Sequence, residues 1–367
     1  MPFCAVKCSY CNFASQVFPP AWLGEYAELV ARELALAATA DGLEGARLDS
    51  IYWGGGTPSL MPPAVFEVIR QAIAAHFTLT PGVEHTLEAA PGTLAPERLE
   101  AFAAGGVNRL SFGVQSFQAE ELRAVGRRHR AETVAEDLRR ARAAGIANVS
   151  LDLIAGLPHQ TAASWRDSLE RAMASGAPHL SIYMLEVDGD SRLGREMLEG
   201  GSRYHAATVP GEEAIADFYE LASARLPAEG WGQYEISNFA HAGGASRHNQ
   251  RYWRREPYLG VGLDAHSLLT AGGARRFANP ETLEAYRAGL EAGRLPRGEA
   301  EWLSAQAERE EHYFLGLRQN EGVADDPADG RLASLAERGL VEREGGRVAL
   351  SARGRMLSNQ VLAELLE

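Results

Sequence analysis

Beyond residue 11 the chain has no cysteine, and beyond residue 7 it has no lysine. It also lacks any apolar run near the roughly 18 residues that a membrane-spanning helix needs. The N-terminus carries no signal-peptide pattern. An excess of basic charge is missing too: the formal net charge is -13, which argues against the electrostatic footprint of a nucleic-acid binder but leaves room for a local basic patch. Hydrophobic residues at 46% and charged residues at 23% are ordinary for a globular protein. The length of 367 residues allows one large domain with a smaller one beside it. Free thiols persist in a reducing compartment, so a cytoplasmic location is expected.

What the chain does have is a compact thiol loop, Cys4-Ala-Val-Lys7-Cys8-Ser-Tyr10-Cys11. Three thiolates from one CxxxCxxC loop suit a [4Fe–4S] cluster, which usually takes four cysteines. One iron is then left without a protein ligand, and an open metal position is where a small molecule binds. Zinc is the competing reading, because ten histidines are available to complete a Cys3His set. Structural zinc normally draws paired ligands from two separated loops, and no second CxxC pair exists. A disulfide reading fails on the odd count. The single Lys7 beside Cys8 hints at a compact cation near the cluster.

From the thiol loop to about residue 187, strand-like and helix-like segments alternate. Strands are predicted at Leu48–Trp53, Glu84–Ala89, Arg109–Gly113, Asn148–Ile154 and His179–Leu185, with helices between them such as Ala64–Phe77, Thr133–Ala144 and Ala162–Ser175. Repeated βα units imply parallel strands, and a polar group stands at or just past each strand end. These are Gly54-Gly55-Gly56-Thr57, Glu88, Gln115 with Ser116, Asp152 and Glu186. Five such groups converge on one ligand if the strands curl, which favours a partial parallel barrel with its site at the C-terminal rim. The expected organisation is a barrel over 1–190, an extension over 191–298 and a small helical, winged C-terminal domain over 299–367. Within the last, Leu340–Leu350 reads as a hairpin through Gly345-Gly346, followed by a helix capped by Ser351. In an acidic chain this unit is read as packing or substrate cover.

These residues together resemble the radical S-adenosylmethionine (SAM) superfamily. Its marks here are CxxxCxxC, Gly54-Gly55-Gly56-Thr57-Pro58, Leu87-Glu88-Ala-Ala-Pro91, Gly106 to Phe117, Gly126-Arg127-Arg128-His129 and Leu151-Asp152 to Pro158. The resemblance implies an α/β fold with a partial parallel (β/α)6 barrel. It implies a [4Fe–4S] cluster on Cys4, Cys8 and Cys11, with SAM chelated at the open iron. Tyr10, Gly55, Gly56, Thr57, Glu88, Gln115, Arg127 and Asp152 would bind SAM, the glycines by letting backbone approach it without a Cβ.

Within the superfamily the chain is similar to the oxygen-independent coproporphyrinogen dehydrogenase branch, and in it to the HemW haem-chaperone type. The dehydrogenases carry CxxxCxxCxC, whereas Phe13 stands two residues beyond Cys11. The chaperone type has an HNxxYW signature, matched by His248-Asn-Gln-Arg-Tyr252-Trp253. The resemblance thus implies haem binding, with His248, Tyr252 and Trp253 as candidate contacts and His266 as a competing axial ligand. Arg247, Arg251, Arg254 and Arg255 are candidates to pair with propionates. It also implies an unidentified haem-acceptor protein and no nucleic acid. The alternative activity is oxidative decarboxylation of coproporphyrinogen III propionates by a SAM-derived radical. The family begins with a strand reading roughly Tyr-Ile-His-Ile ahead of its Pro-Phe-Cys, and this chain opens at Met1-Pro2-Phe3. Two readings follow: the start is misassigned, which predicts poor cluster retention in a chain beginning here, or the barrel has an open edge that weakens packing and SAM affinity.

Overall fold

The computed structural model describes residues 1–366. Helix α1 (Trp22–Ala40) leads into β1 (Arg47–Trp53), α2 (Pro63–His76), β2 (Thr78–Ala89), α3 (Pro96–Ala104) and β3 (Arg109–Gln115). There follow α4 (Ala119–Ala124), α5 (Ala131–Ala143), β4 (Asn148–Ala155), α6 (Ala162–Ala174) and β5 (His179–Met184). Strands β1 to β5 are parallel neighbours in chain order. The sheet is completed by β6 (Gly232–Gln233) and β7 (Asn238–Ala240), which run antiparallel in the order β5-β7-β6. The fold is therefore mixed α/β, with a mostly parallel curved sheet.

Alternation along the strands separates two chemistries. Trp53, Leu87, Leu110, Phe112, Val149, Leu151, Leu180 and Ile182 are buried in the apolar core shared with the covering helices. The alternate positions, Tyr52, Glu88, Ser111, Asp152 and Ser181, project from the concave face. Their register is matched: Glu88 pairs with Ser111, and Asp152 lies between Gly113 and Ser181. A parallel sheet that buries only hydrocarbon needs no such hydroxyls and carboxylates, so this polar layer marks the inside of the barrel as a site.

After α7 (Arg192–Leu198) and α8 (Glu212–Ala228), helix α9 (Arg247–Trp253) carries the HNxxYW signature. Its N-terminus is capped by the buried Glu84 carboxylate of β2. Glu84 accepts from the Ser246 hydroxyl at 3.2 Å and from the amides of Arg247 and His248, each at 2.9 Å. A carboxylate at a helix N-terminus satisfies orphan donors and favours the dipole. This cap seats α9 inside the barrel, against β1. The outer edge of β1 pairs with no strand among the described residues, and a cavity of about 580 Å³ runs along it.

The C-terminal region forms a three-stranded sheet flanked by helices. The predicted hairpin is present, Val341–Glu344 against Arg347–Leu350, and the Ser351 hydroxyl accepts from the Gly354 amide at 2.9 Å. No helix among the described residues is long and apolar enough to cross a membrane.

Candidate functional site

The thiol loop lies across the rim of the barrel, pinned from both sides. The Gly56 amide donates to Met1 O at 2.7 Å and the Thr57 amide to Phe3 O at 2.8 Å. The Cys4 amide donates to Gln16 O at 3.0 Å, and the Ser9 amide to Val125 O at 3.2 Å. Cys4, Cys8 and Cys11 are free and half-buried. Burial pushes the Cys11 thiol up. Among the described residues, no three His, Cys, Asp or Glu side chains close on a single metal ion. The three thiols stand apart along one loop.

The structure supplies a reason of its own for the glycine run. A Cβ on Gly56 would stand 2.6 Å from Phe3 O and 2.9 Å from Cys4 Sγ, and one on Gly55 would stand 2.8 Å from Met1 O. The side chains are excluded by the thiol loop's own backbone, so these glycines let that loop lie down on the barrel. Thr57 donates its hydroxyl toward Cys4 Sγ at 3.7 Å.

The remaining candidates gather on the concave face. Glu88 accepts from the Tyr52 hydroxyl at 2.8 Å and from the Gly55 amide at 3.2 Å. Burial, with Asp152 nearby, raises its carboxyl to about 7. Asp152 accepts from the hydroxyls of Ser111 at 3.2 Å and Ser150 at 3.3 Å, and burial raises it as well. Gln115 sits at a strand bulge with φ 70°, and its buried Oε1 has no partner. Strain at a non-glycine residue of this kind is typical of a ligand-binding position. Arg127 donates to Tyr10 Oη at 3.3 Å and to Gly113 O at 2.6 Å, leaving part of its guanidinium fork for an incoming anion. Two buried carboxylates served by hydroxyls and one amide, an orphaned acceptor and a guanidinium fit a ligand bearing an ammonium, hydroxyls and a carboxylate. SAM has that set. Glu186, the fifth predicted contributor, is exposed on the loop after β5 and donates nothing to this layer.

The signature residues separate. The His248 ring stacks on Tyr52, with centroids 4.7 Å apart and planes at 18°. Its Nδ1 meets Ser50 Oγ at 3.1 Å and its Nε2 meets Tyr252 Oη at 2.9 Å. Burial lowers its pKa to about 4. Trp253 lies beneath the Arg318 guanidinium, which is 5.0 Å from its ring centroid, and is not part of the cavity wall that His248 and Tyr252 line. His266 also lines that cavity, with its side chain 70% exposed. The arginines expected to await propionates are already engaged. Arg251 pairs with Asp49 and Glu256, Arg254 with Glu321, and Arg255 with Glu308 and Glu311. Arg247 donates to Gly82 O. An expectation built on local charge count missed these partners because all but Glu256 come from distant segments.

The profile of the radical SAM superfamily matches residues 1–172. Heme chaperone HemW of Bacillus subtilis is 33% identical, across 100% of this chain and 97% of that protein. The chain belongs to the HemW branch of the radical SAM superfamily. Heme chaperone HemW of Synechocystis is 37% identical over 88% of this chain and 77% of its own length. The mitochondrial radical S-adenosyl methionine domain-containing protein 1 of Danio rerio is 33% identical over 88% and 72%. Among solved structures, coproporphyrinogen III oxidase (HemN) from Escherichia coli aligns over 100% of this chain and 88% of its own, with TM-score 0.85 and 23% identity. At that identity the likeness is one of fold. A [4Fe–4S] cluster and SAM are the groups this superfamily implies, and the thiol loop and concave face have the donors for them.

The sequence reading passed over Tyr52, Glu84 and Arg109, which stand on the same inner face of the sheet as Glu88 and Ser111. Arg109 is 1% exposed inside the barrel, with Nε unpartnered. The signal available was the polar alternation Glu84, Thr86, Glu88 on one face of β2.

Proposed function

We propose that this protein holds a [4Fe–4S] cluster on Cys4, Cys8 and Cys11, binds SAM on the concave face, and carries haem to an acceptor protein in the cytoplasm. The observation that supports the cofactor part is the pairing of a pinned three-thiol loop with Glu88, Gln115, Arg127 and Asp152 around the same rim. When bound, the cluster supplies a one-electron centre with an open coordination site. The chain's own part is to orient the ligand: Arg127 receives its carboxylate, Asp152 its hydroxyls and Glu88 its ammonium. The haem part rests on relatives named for haem handling. Of the two histidines offered as axial ligand, His266 is the accessible one, since both ring nitrogens of His248 are occupied.

The test is a haem titration followed at the Soret band, run beside an anaerobic assay with coproporphyrinogen III, SAM and reductant on the same preparation. The proposal expects saturable haem binding, loss of affinity in His266→Ala, and no protoporphyrinogen IX. Formation of protoporphyrinogen IX would establish the dehydrogenase reading instead.

A further inference from the structure

The HNxxYW helix reaches the proposed SAM site through His248, which stacks on Tyr52. Tyr52 lies on β1, whose outer edge faces the 580 Å³ cavity, so no neighbouring strand braces its ring from that side. The brace is His248, stacked at 4.7 Å. His248 is held at three points: its amide by Glu84, its Nδ1 by Ser50 and its Nε2 by Tyr252. Tyr252 is packed edge-on against Tyr258 at 4.6 Å. Beyond Tyr52 the line continues through its hydroxyl to Glu88 Oε1, and from Glu88 Oε2 to the Gly55 amide beside the thiol loop.

We propose that His248 is a positioning residue for the SAM site, fixing the Tyr52 ring so that its hydroxyl holds Glu88 in the orientation that receives SAM. This rests on the assignment of Glu88 to SAM binding. A flat aromatic stack on a ring that has only one supporting side restricts its χ2 freedom. A carboxylate hydrogen-bonded to a fixed hydroxyl loses little further freedom on binding a cation. The same geometry accounts for a histidine whose two nitrogens are both used inside the protein: a haem iron at Nε2 would have to displace Tyr252. The signature histidine then serves the cofactor that every step depends on, and His266, not His248, is left to meet the haem iron.

The experiment measures SAM affinity by equilibrium dialysis and haem affinity by Soret titration on cluster-reconstituted protein. The variants are His248→Ala, Tyr52→Phe and the double variant, each checked for native circular dichroism. Tyr52→Phe keeps the ring and its packing and removes only the hydroxyl, so it remains informative if His248→Ala folds poorly. Loss of a hydrogen bond to a carboxylate corresponds to roughly tenfold weaker SAM binding. The double variant should be no weaker than the worse single one, because both act through one link. Haem binding should persist in every variant, since His266 is intact in each. Unaltered SAM affinity in Tyr52→Phe and His248→Ala, with the wild type binding SAM, overturns the positioning role alone. A reconstituted wild type that binds no SAM overturns the site assignment and this role with it. Loss of haem binding in His248→Ala with SAM affinity intact assigns His248 to haem instead.

Discussion

Replacing Gly56 with alanine perturbs the point where the thiol loop meets the barrel. The new methyl would lie 2.6 Å from Phe3 O and 2.9 Å from both Phe3 C and Cys4 Sγ. Two of these are backbone atoms that cannot rotate away, so the loop itself must lift by a few tenths of an ångström or more. That movement strains the Gly56-to-Met1 and Thr57-to-Phe3 hydrogen bonds and carries Cys4 with it. Overpacking of this kind costs about 1–3 kcal/mol, or roughly five- to 150-fold in the equilibrium between seated and lifted loop. The assay is anaerobic reconstitution followed by chelator challenge, reading iron per chain and the half-life of the cluster's visible absorbance. Gly56→Ala should fill poorly and lose iron much faster than the wild type. Gly24→Ala is the matched control, since a Cβ there has nothing within 4 Å. In α1 it should stabilise the fold by up to about 1 kcal/mol. Equal iron content and equal chelator resistance in Gly56→Ala would refute the reasoning.

Other outcomes follow from buried polar groups. Glu33 of α1 accepts from Gly262, Asn279 and Tyr286, and burial raises its carboxyl to about 7. A raised folded pKa means that its favourable contribution is complete below the ordinary glutamate value near 4.5 and is lost as pH rises through 7. Across that window stability should fall by about 3 kcal/mol, and Glu33→Gln should flatten the slope in denaturant titrations at several pH values. Glu84→Ala leaves two amide donors and one hydroxyl at the start of α9 without their acceptor. It should cost about 2–4 kcal/mol by denaturant unfolding and lower SAM affinity as well. Trp165→Phe removes the indole N–H that meets the Phe218 carbonyl of α8 at 2.7 Å in the core, a second donor beside the helical amide; chemical denaturation should show a loss of about 1 kcal/mol.

The parallel half of the molecule was legible because its strands are short apolar runs ending in a polar residue. Phe112-Gly113-Val114-Gln115 shows it, set between helices of clear period. The start of β2 was missed by six residues. Pro81-Gly82 reads as a turn, yet the flanking Thr78 and Leu79 pair with Arg47 and Leu48 across an irregular register. The antiparallel β6 and β7 have only two and three residues, too few for any period to emerge. For the site, the thiol spacing and the strand-end carboxylates were readable as chemistry. The reason for Gly55 and Gly56 was not, because what excludes a Cβ is backbone some fifty residues earlier. The role of His248 was equally hidden: its partners Ser50, Tyr52 and Glu84 precede it by more than 160 residues. No local pattern reports that α9 enters the barrel.

The most direct test is the electron paramagnetic resonance spectrum of the anaerobically reconstituted and reduced protein, recorded before and after SAM is added. The account predicts about four irons and four sulfides per chain, a reduced [4Fe–4S] signal, and a changed signal once SAM occupies the open iron. A protein that stays colourless after treatment with ferrous iron and sulfide, or a reduced cluster whose spectrum ignores SAM, would contradict it.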